Sequence, residues 1–300
     1  MKAAHTEELH PASPGLHGLS SGDVLRRLLE AQLTSAQCLY AGLPAIAQAV
    51  DLAVQRYGAG GRLIYAGAGS SGLMALADCL ELSGTFGIPP ERTPVLFAGG
   101  VASLSNLRGD VEDVAANGTN DLARLAPTAR DLVICVSASG ATPYTVAIAE
   151  DARQAGASVM GISNVADSAL LTLADVAILL DTGPELIAGS TRMAAATAQK
   201  IALNMFSTCL GVRLGHVHDG FMVNLRAENT KLQQRAARLV AAIAGCDEGA
   251  AIDALGRTDG DVKPAILVAR GASRAEAAEL LKASGGHLAP ALAARTTRKS

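Results

Sequence analysis

Five short apolar runs follow one another along the first two thirds of the chain, and none of them alternates with polar residues. Stretches with helical spacing of apolar positions separate them, at about 70–82, 101–108, 117–125 and 142–155. Strands of this kind are buried on both faces, as in a parallel sheet covered by helices. The predicted strands are 62–66, 94–98, 131–136, 157–162 and 174–180. The pattern predicts an α/β fold, a three-layer αβα sandwich around a five-stranded parallel sheet.

The segments on either side of this pattern predict helices without strands. Residues 1–20 read as an irregular arm, and the polar residues from Ser20 to Asp23 are suited to cap a first helix that continues through Leu33. Further helices are expected at 44–57 and, rich in Ala and Met, at 190–214. The domain prediction is an N-terminal arm and helix (1–43), an α/β domain (44–224) and a small all-helical C-terminal domain (225–300).

Composition narrows the classes of partner. The net charge of -3 and the aromatic content of 3%, with no Trp, argue against binding to nucleic acid or to an acidic membrane. The five cysteines stand singly, which argues against disulfides and indicates a reducing compartment. No apolar run approaches the roughly 18 residues that a spanning helix needs, and the N-terminus does not read as a signal peptide. We expect a cytoplasmic protein.

The loop Gly67-Ala68-Gly69-Ser70-Ser71-Gly72 fits the G-x-G-x-x-G spacing of a dinucleotide-binding turn. Such a site also needs an acidic residue at the tip of the second strand, to hold the ribose hydroxyl. Here that strand closes with Phe97-Ala98-Gly99-Gly100, which has no carboxylate. The sequence therefore argues against a nicotinamide cofactor, and we expect no cofactor.

Hydroxyl-bearing residues follow two of the predicted strands and open one of the predicted helices. Because the carboxyl ends of parallel strands converge on one crevice, these residues are expected to form a neutral cradle for a phosphate. The alternative is that they are ordinary helix caps. The candidate binding residues are Gly69, Ser70, Ser71, Ser137, Ser139, Gly140, Thr142, Ser190 and Thr191, the last two placed at the start of the 190–214 helix.

A metal site is not expected. His216 and His218 are two residues apart, with no nearby cysteine or carboxylate cluster to complete a ligand set.

Along nearly its whole length, the chain resembles the N-acetylmuramic acid 6-phosphate etherase family, and the matching stretches come in the same order. This family belongs to the SIS (sugar isomerase) domain superfamily. The glucokinase regulatory protein is a related, non-catalytic branch. The main matching stretches are Thr6-Glu7, GGRLIYAGAGSSG (60–72), ELSGTFG (81–87), VEDVAANGTNDL (111–122), SASGATPY (137–144), GPELIAGSTRMAAATAQKIALNMFST (183–208), FMVNLRAENTKL (221–232) and ASGGHL (283–288).

The resemblance implies an activity and a pair of catalytic glutamates. The family opens the sugar to its aldehyde, removes the C2 proton, expels D-lactate from C3 and then adds water. By motif position, Glu81 is expected to protonate the departing lactate and later to activate water, and Glu112 to remove the C2 proton. Two carboxylates can do this work without a metal or cofactor.

The resemblance also raises the question of a partner subunit. Related proteins pair two SIS domains, so a homodimer is expected, with the 190–214 helix either at the interface or in the core. Glu228, Asn229 and Lys231 either reach the pocket, from the same or a partner subunit, or form a solvated helix surface.

The match departs from the family at three basic positions. Leu73, Ala141 and Ala194 stand where the family pattern carries a basic residue, although the family's substrate bears a phosphate and a carboxylate. Besides a divergent etherase, the sequence therefore leaves open another lyase or isomerase for a sugar phosphate. It also leaves open a sensor that binds an amino-sugar phosphate without turning it over.

Overall fold

The computed structural model describes residues 7–107, 109–225 and 230–297. The chain forms two compact units. Unit 1 comprises Met1–Cys79 and Glu91–Ser207, and unit 2 comprises Leu80–Pro90 and Thr208–Ser300. The division into 1–43, 44–224 and 225–300 stays a prediction.

Unit 1 contains a five-stranded sheet in which every strand pair is parallel. Its order is β2-β1-β3-β4-β5, so the chain leaves β1 toward one side of the sheet and returns to the other side with β3. This reversal opens a crevice at the carboxyl ends of β1 and β3. The strands are β1 Leu63–Gly67, β2 Val95–Phe97, β3 Leu132–Val136, β4 Ser158–Ser163 and β5 Val176–Leu179.

Eight α-helices begin in the described part of unit 1. They are α1 Ser21–Ala36, α2 Leu39–Gly58, α3 Gly69–Phe86, α4 Gly100–Ser105, α5 Ala115–Leu125, α6 Pro143–Gln154, α7 Ala169–Leu173 and α8 Ala194–Arg213. The boundary between the units falls within α3 and within α8.

Successive strand residues face different helix layers. Ile64 and Ala66 pack in one core with Leu122 of α5 and Ile148 of α6. On the opposite face, the Tyr65 hydroxyl donates to Asp78 of α3. The predicted three-layer fold with a five-stranded parallel sheet is confirmed.

A buried polar network joins β1 to the helices α3 and α8. The Asp78 carboxylate, 4% exposed, accepts hydrogen bonds from Tyr65 (3.0 Å), Asn204 (2.8 Å) and Ser207 (2.8 Å). Between Ala194 and Phe206, α8 is largely buried. This part of α8 is therefore a core helix, one of the two alternatives that the sequence left open.

The amino-terminal edge of the sheet is closed by an ion pair. Arg62 donates to both oxygens of the buried Asp131, with its backbone N–H and Nε to Oδ1 (2.8 and 3.2 Å) and with Nη2 to Oδ2 (2.8 Å). The Thr128 N–H and hydroxyl also donate to Oδ2. Burial by itself raises the pKa of Asp131, but these hydrogen bonds and the Arg62 charge outweigh it and lower the pKa to about 2.

Unit 2 is helical apart from a small hairpin. Its core draws on Val240, Ile266 and Leu280, from three of its helices. The predicted C-terminal helices are confirmed. The elements that lie wholly in this unit are the antiparallel pair β6 Val217–His218 and β7 Phe221–Met222 and the helices α9 Thr230–Ala244, α10 Glu248–Gly256, α11 Val262–Ala269, α12 Arg274–Ala283 and α13 Leu288–Thr297.

No single helix in the described ranges is long and apolar enough to cross a membrane. Helices α1 and α2 together have enough length and apolar composition, but the pair is bent by 46°.

Candidate functional site

A cavity of about 380 Å³ lies in unit 1 at the carboxyl ends of β1 and β3, where the strand order predicts a binding crevice. This volume falls in the range of small-molecule sites. Its described lining is Glu7, Ala68, Gly69, Ser70, Ser71, Phe97, Ala98, Ser103, Leu107, Gly109, Val111, Glu112, Ala138, Ser139, Thr142, Gly189 and Thr191.

The loop after β1 brings hydroxyls and a helix N-terminus to this cavity. Gly69, Ser70 and Ser71 line it and form the first residues of α3. The first N–H groups of a helix have no partner within the helix and favour anions. Gly72 lets α3 start this close to the strand, since a Cβ there would lie 2.8 Å from the Gly67 carbonyl carbon and from the Phe97 ring.

The loop after β3 supplies the second set of hydroxyls. Ser139 and Thr142 line the cavity. Ser137 does not line it; its buried hydroxyl accepts from the Gly140 N–H (3.0 Å) and hydrogen-bonds to Thr142 Oγ1 (2.9 Å). Gly140 has a φ of +63°, and a Cβ there would lie 2.2 Å from Ser168 Oγ. Ser137 and Gly140 therefore shape the loop that presents the other two side chains.

The third predicted cluster differs from its prediction. Thr191 lines the cavity beside Gly189, but Ser190 is not part of the described lining. The long helix begins at Ala194 instead of 190. Its first turn is capped by the buried Glu185 carboxylate, which accepts from the N–H groups of Ala194 (3.0 Å) and Ala195 (2.9 Å). The anion-binding end of this helix is therefore already occupied by the protein's own carboxylate.

Glu112 lines the cavity and is held there by its backbone. Its carbonyl accepts from the Tyr144 N–H at the start of α6 (3.0 Å), and its own N–H donates to the Gly109 carbonyl (3.3 Å). A Cβ on Gly69 would lie 3.3 Å from Glu112 Oε2, so the carboxylate points toward the α3 loop. Desolvation, and secondarily the charge of Asp113, raise the pKa of Glu112. A carboxylate with a raised pKa is a stronger base than an ordinary glutamate.

Glu81 is not among the described residues that line this cavity. It is exposed on α3 and belongs to unit 2. Glu228 and Asn229 lie outside the described residues, and the side chain of Lys231 does too.

No Lys, Arg or His belongs to the lining as far as the chain is described. The three positions that depart from the family pattern do not line it either. Leu73 is half-buried on α3, Ala141 is exposed, and Ala194 is buried against Glu185. A phosphate in this cavity would therefore meet neutral donors, the hydroxyls and N–H groups of the loops, beside two carboxylates.

Glu7 is the second charged group of the lining, and sequence reasoning gave it no role. In the sequence, Glu7 was marked only by the Thr6-Glu7 match to the family, and this match does not indicate where the arm lies in the fold. A residue so far from β1 in sequence reaches the site through tertiary packing alone.

In the described part of the chain, no group of three or more His, Cys, Asp or Glu side chains could hold a metal ion. His216 is half-buried in unit 2, where desolvation first, then the charges of Lys263 and His287, lower its pKa to about 4. The expectation of no metal stays a prediction.

The chain is similar to a domain family, to curated protein sequences and to solved structures. Residues 30–164 match the SIS domain model. An N-acetylmuramic acid 6-phosphate etherase of Deinococcus radiodurans is 42% identical over 283 residues, covering 94% of this chain and 93% of that protein. One from Edwardsiella ictaluri is 39% identical over 293 residues, covering 97% and 98%. Among solved structures, a phosphoheptose isomerase from Francisella tularensis is 22% identical with a TM-score of 0.47, covering 65% of this chain and 97% of that one.

Proposed function

Because this chain belongs to the N-acetylmuramic acid 6-phosphate etherase family, we propose that it cleaves the D-lactyl ether of N-acetylmuramic acid 6-phosphate, leaving N-acetylglucosamine 6-phosphate and D-lactate. The observation that carries the proposal is the cavity itself, in which the desolvated Glu112 carboxylate faces loops rich in hydroxyl and N–H donors.

The donor groups bind the phosphate. Ser70, Ser71, Ser139, Thr142 and Thr191 offer hydroxyls, and the start of α3 offers N–H groups. Ser137 and Gly140 support this cradle from behind. Ser190 is proposed to act as part of the turn that carries Thr191.

Glu112 begins the reaction. Opening the sugar ring to its aldehyde makes the C2–H acidic, because the carbonyl delocalises the negative charge that develops. Glu112 takes this proton, the electron pair forms a C2=C3 double bond, and the bond from C3 to the lactyl oxygen breaks. Neither step requires a cofactor.

Glu81 is proposed as the acid that gives a proton to the departing lactyl oxygen. It then takes a proton from water, which adds to C3 while C2 regains a proton. The support for this role is its place in the family motif ELSGTFG.

A homodimer is part of the proposal. Three leucines of α1, spaced four residues apart, are exposed to solvent: Leu25 at 65%, Leu29 at 60% and Leu33 at 62%. An apolar stripe of this kind on a helix favours burial against another surface. Light scattering should report a dimer, and Leu29→Lys should shift it toward monomer while Gln55→Lys on α2 leaves it unchanged.

The cytoplasm is the proposed compartment, since all five cysteines are free thiols.

The direct test is release of D-lactate from N-acetylmuramic acid 6-phosphate by the purified protein. Lactate from the wild type and its loss in Glu112→Gln support the proposal. Tight binding without lactate would favour a sensor of amino-sugar phosphates. Failure to bind would point to another sugar phosphate as the substrate.

A further inference from the structure

The N-terminal arm brings a second carboxylate to the cavity. Glu7 lines it on the side of Gly189, where a Cβ would lie 2.6 Å from Glu7 Oε2. The arm is tied to unit 1 a few residues later. The Ser13 hydroxyl donates to the Leu186 carbonyl (2.6 Å), and Arg27 Nη1 donates to the Ala12 carbonyl (2.7 Å). These hydrogen bonds of the same arm therefore hold Glu7 at the cavity.

The Glu7 carboxylate forms no hydrogen bond or ion pair with any other described residue. An ionised carboxylate accepts several hydrogen bonds. The part of the lining that is described holds no cation to neutralise it. Glu7 is exposed, so water supplies its donors, and a ligand in this cavity would replace that water with its own hydroxyl or N–H groups.

The chemistry of Glu7 decides which part of the ligand it can face. A carboxylate repels a phosphate or a carboxylate and accepts from hydroxyl and amide N–H groups. The hydroxyl and N–H donors of the two strand loops lie in the same cavity and suit the anionic end. The cavity thus offers an acceptor, Glu7, for the uncharged groups of a ligand and, on the two strand loops, donors for its phosphate.

We propose that Glu7 is a substrate-binding residue that accepts hydrogen bonds from the hydroxyl or amide N–H groups of the sugar and so orients the sugar with its phosphate toward the serine loops. This inference rests on the proposed function for the identity of the sugar phosphate. It makes the N-terminal arm part of the site.

The test compares Glu7→Ala and Glu7→Gln with Glu8→Gln, a matched change at the adjacent glutamate, which is outside the described lining. Calorimetry measures the binding of N-acetylglucosamine 6-phosphate, the proposed product. Glu7→Ala should weaken it at least ~10-fold, because hydrogen bonds to a charged group are lost. Glu7→Gln should fall between Ala and wild type, and Glu8→Gln should match wild type.

A second ligand separates binding by Glu7 from general damage to the fold. Inorganic phosphate lacks the sugar, so its inhibition constant should stay unchanged or fall in the Glu7 variants as a negative charge is removed. Equal weakening of phosphate and sugar phosphate would overturn the proposal and leave Glu7 a structural role. Unchanged binding of the sugar phosphate in Glu7→Ala would overturn it as well.

Kinetics with N-acetylmuramic acid 6-phosphate give the third readout. KM should rise in Glu7→Ala while kcat changes little. A large loss of kcat with KM and product affinity unchanged would contradict a binding role and assign Glu7 to proton transfer. If the wild type releases no lactate but Glu7→Ala still weakens sugar-phosphate binding, the etherase proposal fails and the role of Glu7 stands.

Discussion

The two ends of strands β1 and β3 carry carboxylates in opposite situations. At the amino ends, Asp131 is buried and bonded to Arg62 and Thr128, and its pKa is lowered to about 2. At the carboxyl ends, Glu112 faces the cavity without a partner for its carboxylate among the described residues. Desolvation first, then Asp113, raise its pKa.

The contrast separates stability from chemistry on one sheet. Asp131 stabilises the fold most in its charged form, since its hydrogen bonds favour that form. Glu112 can serve the reaction because it can gain and lose a proton, which a carboxylate held by several hydrogen bonds does poorly. The sheet thus has an ion-pair clamp at its amino-terminal edge and, at its carboxyl edge, a cavity that Glu112 lines.

The largest expected effect is on turnover in Glu112→Gln. Removing a general base costs roughly 10²–10⁴-fold in rate, so lactate release should fall by about this factor. The free energy of unfolding should stay the same or rise slightly, because a desolvated charge is removed. Thermal unfolding of the same preparation provides this second value. A variant with wild-type turnover would place the base elsewhere.

The next effect is on stability in Asp131→Asn. Breaking a buried ion pair costs about 3 kcal/mol, which urea unfolding can measure, while lactate release per folded molecule should be unchanged. The wild-type clamp contributes its full stability above about pH 4 and loses it as the pH falls toward 2, because the folded pKa lies below the unfolded one. The variant should lack this acid-dependent loss; a wild-type acid profile would contradict the account of the clamp.

A smaller effect is expected on substrate binding in Ser71→Ala. The Ser71 hydroxyl lines the cavity, and losing a hydrogen bond to a charged phosphate should raise KM about 10-fold. Ser105→Ala is the matched control, since Ser105 is exposed on α4 and is not in the described lining. Equal changes in both variants would argue against Ser71 as a direct phosphate ligand.

The smallest effect is on the pH profile in Asp113→Asn. The Asp113 charge helps to raise the pKa of Glu112, so its removal should lower that pKa. The base must be deprotonated, so activity falls as the pH drops through its pKa. The acid limb of kcat/KM should therefore move to lower pH. Glu150→Gln, on the exposed side of α6, should leave the limb in place, and an unmoved limb in Asp113→Asn would disconnect it from Glu112.

The fold followed closely from local patterns. The apolar run 131–136 became Leu132–Val136, and the run 157–162 became Ser158–Ser163, because continuous burial on both faces leaves few other structures for such runs. The five-residue helix α7 went unpredicted, since so short a segment shows hardly more than one helical turn of pattern.

Spacing along the chain predicted the part of the site that follows the strands directly, and the resemblance added Glu112. Ser71, Ser139 and Thr142 reach the cavity because strand ends converge there. The start of α8 was misplaced because its cap, Glu185, comes from nine residues upstream of Ala194. Glu7 was missed as a residue of the cavity because the path of the arm depends on distant contacts such as that of Ser13 with Leu186. Local spacing contains neither fact.

The most direct test of proton removal by Glu112 is the reaction in D₂O, followed by NMR or mass spectrometry of N-acetylglucosamine 6-phosphate. Elimination takes the C2 proton away and hydration returns one from solvent, so the account predicts deuterium at C2 of the product. A product that keeps its original hydrogen at C2 while lactate is released would show that the ether is cleaved without that step, and would contradict the central claim.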